Sequence, residues 1–77
     1  MAQSKKQRIV AWLVAHGYTL VNKTYAHYVA YVSPTNHRTY FIGHNGAVRI
    51  SKTGKVSSST SVTGFFMRKV EQWEKNQ

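Results

Sequence analysis

The spacing of apolar residues changes twice along this chain of 77 residues, and these changes most constrain its fold. Apolar residues recur with helical spacing before Gly17, alternate with polar residues over positions 18–51, and return to helical spacing after Thr63. A sheet covered on one face by both helices is the economical way to bury two helical stripes and one sheet face. We therefore expect one small α+β domain over residues 1–77, built as a helix, an antiparallel meander of three or four strands, and a second helix.

Signals at the helix ends support this order. Ser4 and Gln7 have the spacing of a capping box, which predicts that the first helix begins there. Gly17 is suited to the left-handed residue that ends a helix, with Tyr18 as the accompanying apolar contact. Thr63 is expected to cap a second helix over residues 64–75.

The apolar residues of the first helix spread over more than half of the helical wheel, which predicts that this helix is deeply covered. They are Ile9, Val10, Trp12, Leu13 and Val14. One small sheet has to cover both Trp12 and Val14, and any apolar surface that it leaves exposed would be available to a second copy of the chain. The breadth of the apolar arc therefore leaves both a monomer and a homodimer open. In the second helix the buried stripe consists of Phe66, Val70 and Trp73.

The alternating region is expected to contain three clear strands, residues 25–32, 39–44 and 47–51, and a short fourth, residues 18–22. Residues 56–63 are either a polar loop or a weak edge strand. The dipeptide Asn45-Gly46 predicts a two-residue type I′ turn, which pairs Phe41 with Ile50 and Gly43 with Val48. In that register one face of the hairpin holds Phe41, Val48 and Ile50, and the other holds Tyr40, Ile42, His44 and Arg49.

The charge of the chain is strongly unbalanced. Eleven Lys and Arg residues stand against two acidic residues, which gives a net charge of +9 at pH 7. The acids, Glu71 and Glu74, are expected to pair with neighbours on their own helix. Since unopposed like charges destabilise a compact chain, we expect another molecule to supply the negative charge. Phosphate backbones are the commonest source, so the expected partner is RNA or DNA.

The predicted phosphate anchor is the basic turn at residues 52–55, together with the hydroxyl residues after it and the free N–H groups that begin the second helix. Strand tyrosines beside basic residues are also suited to contact bases or sugars. The candidate nucleic-acid-binding residues are Tyr40, His44, Arg49, Lys52, Lys55, Arg68 and Lys69.

The leading hypothesis is a non-enzymatic nucleic-acid-binding module of bacteriophage or mobile-element origin. One alternative is a small inhibitor or adaptor that covers an acidic or nucleic-acid-binding surface of a host protein. Both hypotheses use the same basic surface, and they differ in whether its partner is a nucleic acid or an acidic protein.

Several other functions are disfavoured by the residues that the chain lacks. It has no Cys and no Asp, and its four His residues lack the spacing of a metal site, so neither a metal nor a cofactor is expected. Val56 follows Gly54-Lys55 where a nucleotide-binding P-loop has Ser or Thr. The longest apolar run, residues 9–15, is too short to cross a membrane, so we expect a cytoplasmic protein with no membrane partner.

Residues 15–44 carry a series of short motifs: His16-Gly17-Tyr18-Thr19-Leu20-Val21, Ala26-His27-Tyr28, a turn at Pro34, and Tyr40-Phe41-Ile42-Gly43-His44. This segment, less than half of the chain, resembles HicA-type toxins, which are small ribonucleases. The resemblance implies a fold like that of the double-stranded RNA-binding domain, and it implies that His27 is the catalytic residue. Such a ribonuclease needs no metal, because His, Lys, Arg and Tyr side chains can accept the ribose 2′-OH proton and stabilise the phosphorane.

Overall fold

The computed structural model describes residues 3–23 and 25–77, and within them the chain forms the expected α+β fold of helix, strands and helix. The elements are α1 (Lys5–Ala15), β1 (Thr19–Leu20), β2 (Tyr28–Val32), β3 (Thr39–Gly43), β4 (Val48–Ser51), a 3-10 helix (Val56–Ser58), β5 (Thr60–Ser61) and α2 (Thr63–Lys75). The strands form one antiparallel sheet in sequence order. In this described part of the chain the sheet has five strands rather than three or four, because the short β1 and β5 pair with the outer edges of β2 and β4.

The ends of α1 are as predicted. At its start, the N–H of Gln7 donates to Oγ of Ser4 at 3.2 Å and the N–H of Ser4 donates to Oε1 of Gln7 at 2.9 Å, which completes the capping box. At its end, Gly17 has a φ of 81° and the N–H of Tyr18 donates to the carbonyl of Leu13 at 3.0 Å. This is the Schellman arrangement, whose left-handed residue is usually glycine because a Cβ is strained there.

Both helices lie on one face of the sheet, as predicted, and the core lies between the helices and that face. Among the described residues, nine buried ones form it: Ile9, Trp12, Leu13, Tyr31, Ile42, Val48, Phe66, Met67 and Val70. Val14 is not among them and is 62% exposed, although the helical wheel placed it in the buried arc. The sheet and α2 cover only one side of α1, so its apolar arc is wider than the surface that can bury it.

The register of the β3–β4 hairpin differs by one residue from the predicted register. Ile42 lies opposite Val48, whereas a two-residue turn would pair Gly43 with Val48. Side chains alternate between the two faces of a strand, so a slip of one residue exchanges the faces. Ile42 and Val48 are therefore fully buried beneath the helices, and Phe41 lies on the opposite face. The predicted grouping of Phe41 with Val48 and Ile50 is wrong for this reason.

A three-residue loop, residues 44–46, sets this register. The N–H of Gly43 donates to the carbonyl of Ala47 at 2.8 Å, and the N–H of Gly46 donates to the carbonyl of Gly43 at 3.0 Å. Gly46 has a φ of 86°, the left-handed conformation that three-residue hairpin loops use after a type I turn. A Cβ at position 46 would also overlap the Cβ of Lys5. The hairpin loop therefore packs directly against the first turn of α1.

Aromatic rings pack together on the sheet face away from the helices. Phe41 is fully buried on this face. The ring of Tyr25 lies edge-on to it at 5.0 Å, and the ring of Tyr28 lies at 6.1 Å. The strand β2 begins at Tyr28 rather than at the predicted residue 25, so Tyr25 belongs to the preceding segment and packs across the sheet. The two tyrosine rings therefore help to bury Phe41 on this face.

The start of α2 differs from the prediction in its cap. Thr63 is the first residue of the helix, and Val62 occupies the N-cap position without a side-chain hydrogen bond. Oγ1 of Thr63 instead accepts a hydrogen bond from the N–H of Val48 at 2.9 Å. The N–H of Val62 also donates to the carbonyl of Val48 at 2.9 Å. The threonine side chain thus ties the start of α2 to the first residue of β4 rather than to its own helix.

An ion pair joins the two helices. Nη2 of Arg8 lies 2.6 Å from Oε1 of Glu74, and Nε of Arg8 donates to Oε2 at 3.0 Å. The prediction that Glu74 pairs within its own helix is wrong, because helix packing brings the start of α1 against the last turn of α2. The hydrogen bond from Arg8 lowers the pKa of Glu74, and the same contact raises the pKa of Arg8. Within residues 3–23 and 25–77, Arg8 is the only Lys or Arg residue at salt-bridge distance from a carboxylate.

The variant Glu74→Gln is expected to lose stability at neutral pH and to converge with the wild type in acid. Because the pKa of Glu74 is lowered in the folded state, its contribution to stability is present above its ordinary pKa and is lost as pH falls through the lowered value. The free energy of unfolding, measured by urea titration at about pH 7 and at about pH 3, should therefore fall less in the variant than in the wild type.

The control is Glu71→Gln, which makes the same change of charge on the same helix and keeps the bond between Arg8 and Glu74. It should retain most of the wild-type dependence on pH. Identical pH profiles for Glu74→Gln and the wild type would show that the ion pair does not stabilise the folded state.

Candidate nucleic-acid interface

The residues predicted to contact nucleic acid lie in several parts of the molecule. The loop after β4 carries Lys52 and Lys55, β4 carries Arg49, the β3–β4 loop carries His44, β3 carries Tyr40, and α2 carries Arg68 and Lys69. Tyr40 belongs to the sheet face beneath the helices, because it packs against the core, and Arg49 belongs to the opposite face, because it pairs with Phe41. The predicted set is therefore divided between the two faces of the sheet.

The loop after β4 is held in shape by its own hydroxyl groups. Ser51 is only 2% exposed, and its Oγ accepts hydrogen bonds from the N–H of Gly54 at 3.1 Å and the N–H of Lys55 at 3.2 Å. Two further hydroxyls bond to each other across the loop, those of Thr53 and Ser58. Part of the predicted set of free phosphate donors is thus used to build the turn. Lys52 and Lys55 remain exposed on it.

Arg49 fastens this loop to the sheet. Its Nε donates to Oγ of Ser59 at 2.7 Å, and its Nη2 donates to the carbonyl of Ser59 at 2.8 Å. Oγ of Ser59 in turn donates to the carbonyl of Val56. A guanidinium group has five N–H donors, and these two bonds commit two of them to the loop. The half-buried Arg49 therefore holds the loop in place as well as carrying charge.

Arg38 and Lys52 share a cleft at one end of the sheet. Because β3 and β4 pair Thr39 with Ser51, Arg38 and Lys52 are the next opposed positions beyond the strands. Both line a cleft of about 330 Å³, together with Ile50, Thr53, Ser58 and Thr60. The lining thus contains two cations, three hydroxyls and no carboxylate. Like charges in opposed positions repel, and an anion in the cleft would relieve that repulsion.

Arg38 is a residue that sequence reasoning did not place at the site. The predicted register pairs Tyr40 with Ser51, which would set Thr39 rather than Arg38 beside Lys52. In the observed register Arg38 takes that place. The signal that would have identified it is the alternative three-residue form of the hairpin loop, which shifts every pair by one residue.

Tyr40 lies within an aromatic cluster. Its ring is 5.5 Å from that of Tyr18 and 5.7 Å from that of Phe66. Burial raises the pKa of the Tyr18 hydroxyl in this cluster. Tyr40 is half-buried, so its ring packs under the helices, and stacking on a base would require this packing to open.

His27 and His44 border one cleft at the other end of β3. The cleft has a volume of about 350 Å³, and its other lining residues are Tyr28, Gly43, Asn45 and Ala47. His27 is exposed and lies immediately before β2 rather than within it. His44 also borders a cleft of about 490 Å³ to which Lys23 and Tyr25 contribute. Two imidazoles and a phenol thus line one small cavity.

Arg68 and Lys69 lie on the exposed side of α2, beside an aromatic groove. Nζ of Lys69 is 4.9 Å from the centroid of the Phe65 ring, and Phe65 is 64% exposed. The groove has a volume of about 450 Å³ and is also lined by Trp12, His16, Gln72, Trp73 and Asn76. Sequence reasoning missed Phe65, because only its neighbour Phe66 fits the buried stripe. The spacing of four residues between Phe65 and Lys69 is the signal that would have found it.

Comparison of this chain with models of protein families, with curated proteins and with solved structures found no match. Its function is therefore inferred from its own charges and clefts. Within the ranges 3–23 and 25–77, no three side chains of the metal-ligating types come together as a metal site would require. In the same part of the chain, no helix has the length and apolar character needed to cross a membrane.

Proposed function

We propose that this protein is a nucleic-acid-binding module that anchors on phosphate groups. The observation that carries the proposal is the opposed pair of Arg38 and Lys52 in a cleft lined by hydroxyls and by no carboxylate. Guanidinium and ammonium groups beside hydroxyl donors are the groups with which proteins hold phosphate oxygens. The partner is RNA or DNA, since both present a phosphate backbone.

The charge of the whole chain favours the same kind of partner. The net charge is +9 at pH 7. In the described part of the chain, only Arg8 has a carboxylate at salt-bridge distance. The remaining cations repel one another in the folded state, and binding to phosphates neutralises them. Binding also releases counterions from the nucleic acid, which adds affinity without any recognition of sequence.

The loop after β4 gives this anchor a rigid support. Ser51 fixes the turn that carries Lys52 and Lys55, and Arg49 fixes the other end of the loop to the sheet. A loop whose backbone is already held loses less conformational entropy on binding than a free chain does. The internal bonds of the loop therefore favour affinity even though they occupy some of its hydroxyls.

The double variant Arg38→Ala with Lys52→Ala is expected to bind nucleic acid more weakly and with less dependence on salt. Each phosphate contact contributes about 0.9 to the slope of log affinity against log salt for duplex DNA, and about 0.7 for a single strand. The double variant should therefore lose about 1.4 to 1.8 from this slope. Fluorescence anisotropy of labelled oligonucleotides over a salt series measures it.

The matched control is Lys6→Ala with Lys75→Ala, which removes the same charge from the two helices and leaves the Arg38 cleft intact. It should reduce the slope by less. If both double variants lost the same slope, the cations would act diffusely and the local anchor would be refuted. Circular dichroism of each variant checks that the fold survives.

A second candidate function, a metal-independent ribonuclease, is favoured by one observation, which is that His27 and His44 line the same cleft. In this reaction one imidazole accepts the proton of the ribose 2′-OH, whose oxygen attacks the phosphorus. The other imidazole donates a proton to the departing 5′ oxygen, which leaves a 2′,3′-cyclic phosphate and a 5′-hydroxyl. The resemblance to HicA-type toxins points to the same His27.

This candidate predicts that the purified protein cleaves single-stranded RNA in the presence of EDTA. His27→Ala and His44→Ala should each lower the rate about 100- to 10,000-fold, the usual contribution of a general acid or base. Denaturing gel electrophoresis of a labelled RNA measures the rate.

The control is His37→Asn, since His37 is exposed with a φ of 60° and Asn tolerates that left-handed conformation. Cleavage by this variant should match the wild type. A wild-type protein that leaves RNA intact, or cleavage that survives His27→Ala, would exclude the ribonuclease and leave the binding module in place.

A further inference from the structure

A groove between α1 and α2, with a volume of about 450 Å³, combines aromatic rings with cations. The rings and cations in its lining are Trp12, His16, Phe65, Trp73, Arg68 and Lys69. Both tryptophans of the chain are among them. The lining contains no carboxylate, so the two cations have no counter-charge within the groove.

The rings of the groove differ in how they are held. His16 stacks on Trp12 with ring centroids 3.9 Å apart and 17° between the ring planes. The ring of Trp12 in turn meets Phe66 of the core at 4.9 Å. This side of the groove is therefore continuous with the packed interior. Phe65 is instead 64% exposed and has the ammonium group of Lys69 over its ring. An exposed ring beside a packed aromatic wall is a surface on which another flat ring can stack.

One face of α2 presents an aromatic ring, a cation and an amide of the groove in a row. Phe65, Lys69 and Gln72 are four and three residues apart, so they lie on the same face of α2. Asn76, the residue that caps the end of the helix, follows Gln72 by four residues, and all four line the groove. Glu74 does not line the groove, and its carboxylate pairs with Arg8 of α1. The groove thus offers rings, ammonium and guanidinium groups, and side-chain amides.

We propose that this groove binds the unpaired bases of a single-stranded nucleic acid, an inference that rests on the proposed nucleic-acid binding. Exposed aromatic rings stack on bases, Arg68 and Lys69 hold the adjoining phosphates, and the amides of Gln72 and Asn76 bond to base edges. A second copy of the chain is a poor occupant, because its net charge of +9 would approach the two cations of the groove. An acidic peptide would match the cations and would leave the exposed ring of Phe65 without a flat partner.

Tryptophan fluorescence reports on this groove, because both tryptophans line it. Oligo(dT) should quench the fluorescence on binding, whereas inorganic polyphosphate, which has no bases, should bind without quenching. Phe65→Leu removes the ring and keeps an apolar side chain, so it should bind oligo(dT) about ten-fold more weakly, with unchanged binding of polyphosphate. Phe65→Tyr keeps the ring and should bind both as the wild type does.

The matched control is Val14→Ala, since Val14 is 62% exposed, much as Phe65 is, and lies outside the groove lining. It should leave both affinities unchanged. The inference is overturned if Phe65→Leu binds oligo(dT) as tightly as the wild type. It is also overturned if an acidic peptide of Glu and Leu quenches the tryptophans and oligo(dT) does not. If the protein still binds polyphosphate in either of these cases, the proposed phosphate anchor stands. If it binds neither oligo(dT) nor polyphosphate, the proposed function is refuted as well.

Discussion

The hydrogen bond from the N–H of Gly43 to the carbonyl of Ala47 closes the three-residue loop between β3 and β4, and the register of the central hairpin follows from it. That register decides which side chains face the helices and sends Phe41 to the opposite face, where other rings have to cover it. The same register sets Arg38 opposite Lys52 at the end of the ladder. One backbone geometry therefore determines both the core and the place where two cations meet.

The features that could be predicted from the sequence are those that depend on neighbouring residues. The order of elements follows from apolar spacing, and the ends of α1 follow from Ser4 with its capping partner and from Gly17. The hairpin register could not be predicted, because the dipeptide Asn45-Gly46 fits a loop of two residues as well as one of three. The contact of Gly46 with Lys5, which is distant in the sequence, could not be predicted either. The partner of Glu74 was missed for the same reason, since it lies on the other helix.

The part of the candidate site that could be predicted is the part that does not depend on strand register or packing. An expected polyanionic partner follows from composition alone, and Lys52 could be named from its position after a strand. Arg38 could not be named, because its neighbour depends on the register. Phe65 could not be distinguished from Phe66 until packing showed that one ring is 64% exposed and the other 2% exposed. In the proposed account, cations at the end of the sheet hold phosphates, and the ring-lined groove holds bases.

The central claim is that the cations of the folded chain find their counter-charge in a nucleic acid. The most direct measurement is binding of the wild-type protein to labelled RNA and DNA oligonucleotides at low ionic strength, repeated as salt rises from about 50 to about 200 mM. The account predicts binding at the lowest salt and a linear fall of log affinity with log salt. Failure to bind any oligonucleotide at low ionic strength, or an affinity that stays constant over this range, would contradict it.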